Sequence, residues 1–177
     1  MARWSRFLAV VGFLAVAAPV ALSAQHPQVR NGFWIGFGFG YGSLGVEDCE
    51  DCGREGGLAG FVKLGGKLSD NWLLGFESNN WIDEEFGTTY SIGASTATAY
   101  YYPNPARGLH LKGGLGLGHI DVEDLGDETG IGFMIGIGND FRVGRNISIV
   151  PVLTWYLGDF DGGSTNVLML GAGVTFH

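Results

Sequence analysis

GFWIGFGFGYG, residues 32–42, alternates Phe33, Ile35, Phe37, Phe39 and Tyr41 with Trp34 and a row of glycines, Gly36, Gly38, Gly40 and Gly42. A period of two marks a β-strand, whose successive side chains point to opposite faces. Glycine in a strand costs backbone entropy and offers nothing to pack. A strand that keeps it along one face needs surroundings in which that face has to be small.

The alternation recurs down the chain. Leu58, Val62 and Leu64 oppose Ala59, Phe61, Lys63 and Gly65, and Trp72, Leu74 and Phe76 oppose Leu73, Gly75 and Glu77. Tyr90, Ile92, Ala94, Thr96, Thr98 and Tyr100 oppose Ser91, Gly93, Ser95 and Ala97. Leu109, Leu111, Leu115 and Leu117 oppose His110, Lys112, Gly114, Gly116 and Gly118. Ile131, Phe133, Ile135 and Ile137 oppose Gly132, Met134, Gly136 and Gly138. Ile147, Ile149, Leu153 and Trp155 oppose Ser148, Val150, Val152, Thr154 and Tyr156. Leu168, Leu170, Ala172, Val174 and Phe176 oppose Met169, Gly171, Gly173 and Thr175, which completes eight strands.

In a soluble barrel the apolar rows would point inward and the opposite rows would meet water with Lys, Glu, Gln and Thr. Here the opposite rows are mostly glycine, with a little Ser and Thr and isolated charges. Turning the barrel inside out removes the conflict: the apolar rows meet lipid, and the small residues crowd a narrow lumen. Closure pairs every backbone N–H and C=O, which lipid demands. The expected fold is all-β, an eight-stranded antiparallel up-and-down transmembrane β-barrel. By the same rule the row from Tyr90 to Tyr100 is expected to face lipid.

Charge placement agrees. Glu47, Asp48, Glu50, Asp51, Glu55, Asp83, Glu84, Glu85, Asp121, Glu123, Asp124, Asp127, Glu128, Asp159 and Asp161, 15 of the 18 acids, fall in alternate connections read as long loops. The connections Leu68 to Asn71, Pro103 to Arg107 and Val143 to Asn146 are short. Long loops at one end and tight turns at the other is the outer-membrane arrangement, with the turns periplasmic. Arg30, Lys67, Arg107, Arg142 and Arg145 gather at the turn end. Phe33, Trp72, Tyr100, Tyr102, Phe141 and Phe176 near that end, and Tyr41, Tyr90 and Trp155 near the loops, are expected to form two interfacial belts.

The first residues set the compartment. Arg3 and Arg6 precede an apolar run from Phe7 to Leu22, followed by Ser23 and Ala24, the layout of a secretory signal peptide. The run is shorter than the ~20 residues of a spanning helix and is interrupted by Pro19. Residues 1–24 are read as the signal peptide and 25–177 as the barrel domain. Removing 24 of 177 residues leaves 153, and removing Arg3 and Arg6 leaves 8 basic residues against 18 acidic, a net charge of −10. That balance argues against nucleic acid as a partner.

A signal peptide, eight alternating strands and a last strand ending Val174-Thr175-Phe176-His177 resemble the small outer-membrane β-barrels of Gram-negative bacteria, the group of the OmpA transmembrane domain and OmpX. The resemblance spans nearly the whole mature chain. It implies residence in outer-membrane lipid, assembly by periplasmic chaperones and the barrel-assembly machinery, and a structural, envelope-integrity or surface-interaction role.

Candidate chemistry is sparse. Lys63 and Glu77 both face the lumen by parity, and a turn over Ser69-Asp70-Asn71 sets them opposite each other as a cross-strand ion pair. His110, Lys112, Asp140 and Arg142 are expected to form a second interior cluster. These six are read as a polar plug whose charges neutralise one another, with a gate or narrow ion path as the alternative. Cys49 and Cys52 lie in an exported chain, where a C-x-x-C without a redox fold or a second Cys pair is read as a local disulfide. The carboxylates around them suit weak binding of divalent cations such as Ca²⁺ or Mg²⁺ without a defined site. Lipid A-modifying barrel enzymes of the PagL-like group use His, Ser and an acid, but Asp121 stands two after His119 where their serine would be. No catalytic residue, cofactor site or metal site is assigned, and a soluble lipocalin-like barrel is the remaining alternative.

Overall fold

A computed structural model describes residues 30, 32–46, 53–85, 88–122, 126–161 and 163–177. The strands are β1 Phe33–Val46, β2 Glu55–Lys67, β3 Trp72–Glu85, β4 Thr88–Tyr101, β5 Leu109–Val122, β6 Gly126–Asn139, β7 Phe141–Arg142, β8 Ile147–Phe160 and β9 Gly163–Phe176. Each neighbour in sequence pairs antiparallel, and β1 pairs with β9 to close the ring. β6 and β7 both pair with β8 and act as one stave interrupted at Asp140, so the barrel has eight staves. The fold is the closed antiparallel barrel expected from the period-two pattern.

The rows fall as expected on seven staves. Phe39, Leu58, Leu115 and Ile131 are exposed on the wall, while Phe61, Met134, Val150 and Met169 are buried inside. The fourth stave corrects the sequence reading. On β4 it is Ala94, Thr96, Thr98 and Tyr100 that are buried, and Ser91, Gly93, Ser95, Ala97 and Ala99 that share the outer face. Tyr100 and Tyr102 are therefore interior and not belt residues; Phe33, Trp72 and Phe176 are exposed at that end and Tyr41 at the other. The cause is register: Trp72 pairs with Tyr101 and Glu77 with Thr96, and this fixes the parity of β4 against a wall its own composition would not choose.

The strands also run further than polarity suggests. Glu55, Asp83, Glu84, Asp121, Asp127, Glu128 and Asp159 lie within strands and not in loops, and only residues 86–87 separate β3 from β4. A strand of 14 residues spans roughly 46 Å along its length, and a tilt of ~45° still leaves a rise of roughly 33 Å against an apolar band of ~25 Å. Polarity marks where the wall leaves the lipid, while the hydrogen-bond ladder continues into water.

The glycines now have a physical account. The Trp34 ring lies over Gly65 and Gly75, where an added Cβ would stand 2.7 Å and 3.0 Å from its Cζ2. Phe61 lies over Gly38 and Gly173, with 2.7 Å left at each. Lys112 and His110 cross Gly136 and Gly138, where an added Cβ would again stand 2.7 Å from the side chain. Each large interior side chain fills space that glycine one or two strands away leaves empty, which is how an eight-stranded lumen reaches close packing.

Candidate functional site

The interior is built in two tiers. Toward the loops, Phe61, Trp81, Met134, Tyr156, Val167 and Met169 belong to an apolar cluster. Toward the turns, the interior carries charge, and β2, β3, β5 and the β6–β7 junction supply it. Among the described residues the turn-side cavity bounded by Trp34, Lys63, Tyr100, Tyr102, Thr175 and His177 has a volume of about 10 Å³. That is space for about one water.

Glu77 is fully buried and is the first node. Its carboxylate accepts from Lys112 Nζ at 2.5 Å, from the Tyr100 hydroxyl at 2.5 Å and from Asn79 Nδ2 at 3.2 Å. Lys63 stands opposite Glu77 in register. Its ammonium instead rides over aromatic rings, 5.6 Å from the Tyr100 centroid and 5.8 Å from those of Trp34 and Phe61. The expected Lys63–Glu77 ion pair is thus replaced by Lys112–Glu77. Directly opposed residues on neighbouring strands both point into the lumen, where a long lysine from across it can reach the carboxylate first.

Asp140 is the second node. It is bound by Arg30 Nε at 3.1 Å and by the Tyr102 hydroxyl at 3.0 Å, with His110 Nδ1 at 3.7 Å. The Arg30 guanidinium stacks 3.8 Å from the Tyr102 centroid and donates to the carbonyls of Pro105 and Arg107. Arg142 is buried nearby and donates to the Arg145 carbonyl at 3.4 Å. Of the four residues grouped from sequence, Lys112 leaves for Glu77 while His110, Asp140 and Arg142 stay at the turn end. Arg30, Asn79, Tyr100 and Tyr102 were not legible as members: the tyrosines were assigned to the lipid belt, and nothing local ties Arg30 to a strand 110 residues away.

Outside the barrel, Lys67 Nζ and the exposed Asp70 form an ion pair at 2.7 Å across the first turn. The lysine holds the Asp70 carboxyl below the usual carboxylate range, first by its hydrogen bond and then by its charge. Among the described residues no three His, Cys, Asp or Glu side chains converge on a metal position. Cys49 and Cys52, with Glu47, Asp48, Glu50 and Asp51, lie outside the described residues. Gly40, Gly42 and Gly45 stand at G-x-G-x-x-G spacing, but within β1 and not at a strand-to-helix turn, so the spacing has no phosphate-binding meaning.

The chain resembles the solved structure of Ail, the attachment invasion locus protein of Yersinia pestis, in complex with the heparin analogue sucrose octasulfate: 18% identity, 82% of this chain and 99% of that one, TM-score 0.60. It resembles Neisserial surface protein A at 16% identity over 84% and 98% of the two chains, TM-score 0.67. The N-terminal β-barrel domain of Pseudomonas aeruginosa OprF matches at 18% identity over 84% and 98%, TM-score 0.52. No curated protein matches the chain. At these identities the likeness shows a shared fold. The description "outer membrane protein beta-barrel domain" matches residues 7–176, nearly the whole sequence. This protein resides in the bacterial outer membrane, and its chain belongs to the outer membrane protein beta-barrel domain family.

Proposed function

We propose that the protein is a sealed, non-enzymatic anchor that holds an acidic rim at the cell surface. The observation that carries this reading is the filled interior. A charged plug at the turn end lies below an apolar cluster whose Met134, Val150, Val167 and Met169 are fully buried. An ion crossing that cluster would lose its hydration without gaining a partner, which weighs against the narrow-channel alternative. The ionisable residues of the interior then serve stability.

What the barrel offers a partner is the loop-side rim, where Glu55, Asp83, Glu84, Asp121, Asp127, Glu128 and Asp159 rise above the apolar band. The Ail structure holds a polysulfated ligand; an acidic rim repels polyanions and suits cationic surfaces or peptides, with divalent cations screening it weakly. Residues 1–24 are the export signal, and chaperone-assisted assembly follows from that route. In planar bilayers the purified barrel is expected to give no resolved conductance steps, and its mass is expected to begin at Gln25. Cells displaying it are expected to bind polylysine, and changing the seven rim acids to Asn or Gln is expected to weaken that binding. Conductance steps, or polylysine binding unchanged by neutralisation, would sink the proposal.

A further inference from the structure

Among the described residues, the loop-side mouth of the lumen holds a pocket of about 190 Å³. Three cross-strand pairs build it: Leu44 with Glu55, Trp81 with Ile92, and Asp83 with Tyr90. Directly opposed residues share a face of the sheet. Leu44, Trp81 and Ile92 are buried inside the barrel, so Glu55 points inward with Leu44. Asp83 stands two beyond Trp81 and Tyr90 two before Ile92, so both face the same lumen. Glu55 and Asp83 therefore stand inside the mouth above an apolar floor. Asp121 and Asp127 differ: they oppose each other, exposed, one residue on from the inward-packed Ile120, and so lie on the outer face.

The chain supplies no cation for this pair. Among the described residues neither Glu55 nor Asp83 makes an ion pair. Arg54 is the one Lys or Arg on the loop side, and it is spent elsewhere: its Nε donates to Ser43 Oγ, its Nη1 to Asn166 Oδ1 and its Nη2 to the Ser43 carbonyl. The connecting segments 47–52, 86–87, 123–125 and 162 contain no Lys or Arg in their sequence. The countercharge has to come from another molecule.

The floor narrows the choice of cation. The Trp81 indole lies across the Gly42–Gly57 pair, its Cδ1 2.6 Å from where a Cβ on Gly42 would stand and its Nε1 2.7 Å from where one on Gly57 would. Trp81 is buried, and its Nε1–H has no acceptor among the described residues. A calcium ion takes six to eight oxygens, and two carboxylates over apolar walls serve it poorly. A guanidinium is weakly hydrated, forks onto carboxylates and stacks on aromatic faces, while its alkyl stem covers apolar surface. The volume lies below the roughly 300–1,000 Å³ of small-molecule sites and suits one side chain. A basic peptide brings both missing partners, a cation on its side chain and carbonyl acceptors on its backbone.

We propose that this pocket receives an arginine side chain of a basic peptide, with the guanidinium between Glu55 and Asp83 and over Trp81, and the stem against Leu44 and Ile92. The site lies within the acidic rim and rests on that reading. Nuclear magnetic resonance of the isotopically labelled barrel in phosphatidylcholine nanodiscs, titrated with acetylated and amidated triarginine, tests it at the Trp81 indole N–H resonance, which Trp81→Phe identifies. A saturable shift is expected, with trilysine binding at least threefold more weakly. Glu55→Gln with Asp83→Asn is expected to weaken triarginine at least tenfold. Asp121→Asn with Asp127→Asn removes the same charge from the outer face and is expected to weaken it less than threefold. Val46→Trp fills the pocket from its exposed edge. It is expected to abolish the shift while keeping the heat-dependent gel mobility of wild type. Equal weakening by the two double variants would overturn the pocket and leave the rim reading standing. No binding to wild type would overturn both, and trilysine as tight as triarginine would overturn the assignment to arginine.

Discussion

Glu77→Ala is expected to destabilise the barrel by about 3–5 kcal/mol, the usual cost of removing one partner from a buried ion pair. Among the described residues the carboxylate is the one ion-pair partner of Lys112, and it also accepts from Tyr100 and Asn79. Its loss strands an ammonium in a lumen with room for little water. Lys112→Met is expected to cost a similar amount, because it leaves Glu77 charged and buried. Lys63→Met is expected to cost under about 1.5 kcal/mol, as a swap of similar volume, since Lys63 makes no ion pair among the described residues. Urea unfolding in lipid vesicles, followed by tryptophan fluorescence, ranks the three. If Lys63→Met were as costly as Glu77→Ala, the cross-strand pairing read from sequence would be restored and the Lys112 assignment lost.

Gly65→Leu is expected to destabilise at the upper end of the ~1–3 kcal/mol range for overpacking a filled interior. A Cβ on Gly65 would stand 2.2 Å from the Leu74 carbonyl oxygen, 2.6 Å from the Gly75 Cα and 2.7 Å from the Trp34 ring. The first two neighbours are backbone held in the β2–β3 ladder, so only the ring has freedom to move. Combining Gly65→Leu with Trp34→Ala is therefore expected to recover part of the loss, which a substitution that merely weakened strand propensity would not do. Gly113→Leu serves as the control: its Cβ would meet nothing closer than the Met134 carbonyl oxygen at 3.8 Å, an ordinary contact on the lipid side, and the substitution is expected to leave the unfolding midpoint unchanged. Equal losses at Gly65 and Gly113 would show that strand glycine matters here for entropy and not for space.

The fourth stave shows where sequence legibility ends. Phe33 to Tyr41 announces its outer face because five large side chains alternate with glycine. On β4 both faces carry Ser, Thr, Ala and Gly through the middle, so hydrophobicity cannot separate them, and Tyr90 and Tyr100 tip the reading toward lipid. The register with β3 decides otherwise and sends Tyr100 inward to Glu77. The same inversion places Ser91, Gly93 and Ser95 on the wall.

The sequence by itself determined the barrel, its number of staves, its inside-out polarity and the end that carries acid, because each follows from period-two alternation and from where charge interrupts it. Only the tertiary structure decided which ion meets which. Lys112 and Glu77 sit on β5 and β3, which are not neighbours, and Arg30 reaches Asp140 across the closed ring. Closure brings side chains together across the lumen, and no spacing along one strand encodes the reach of a lysine or arginine to the far wall.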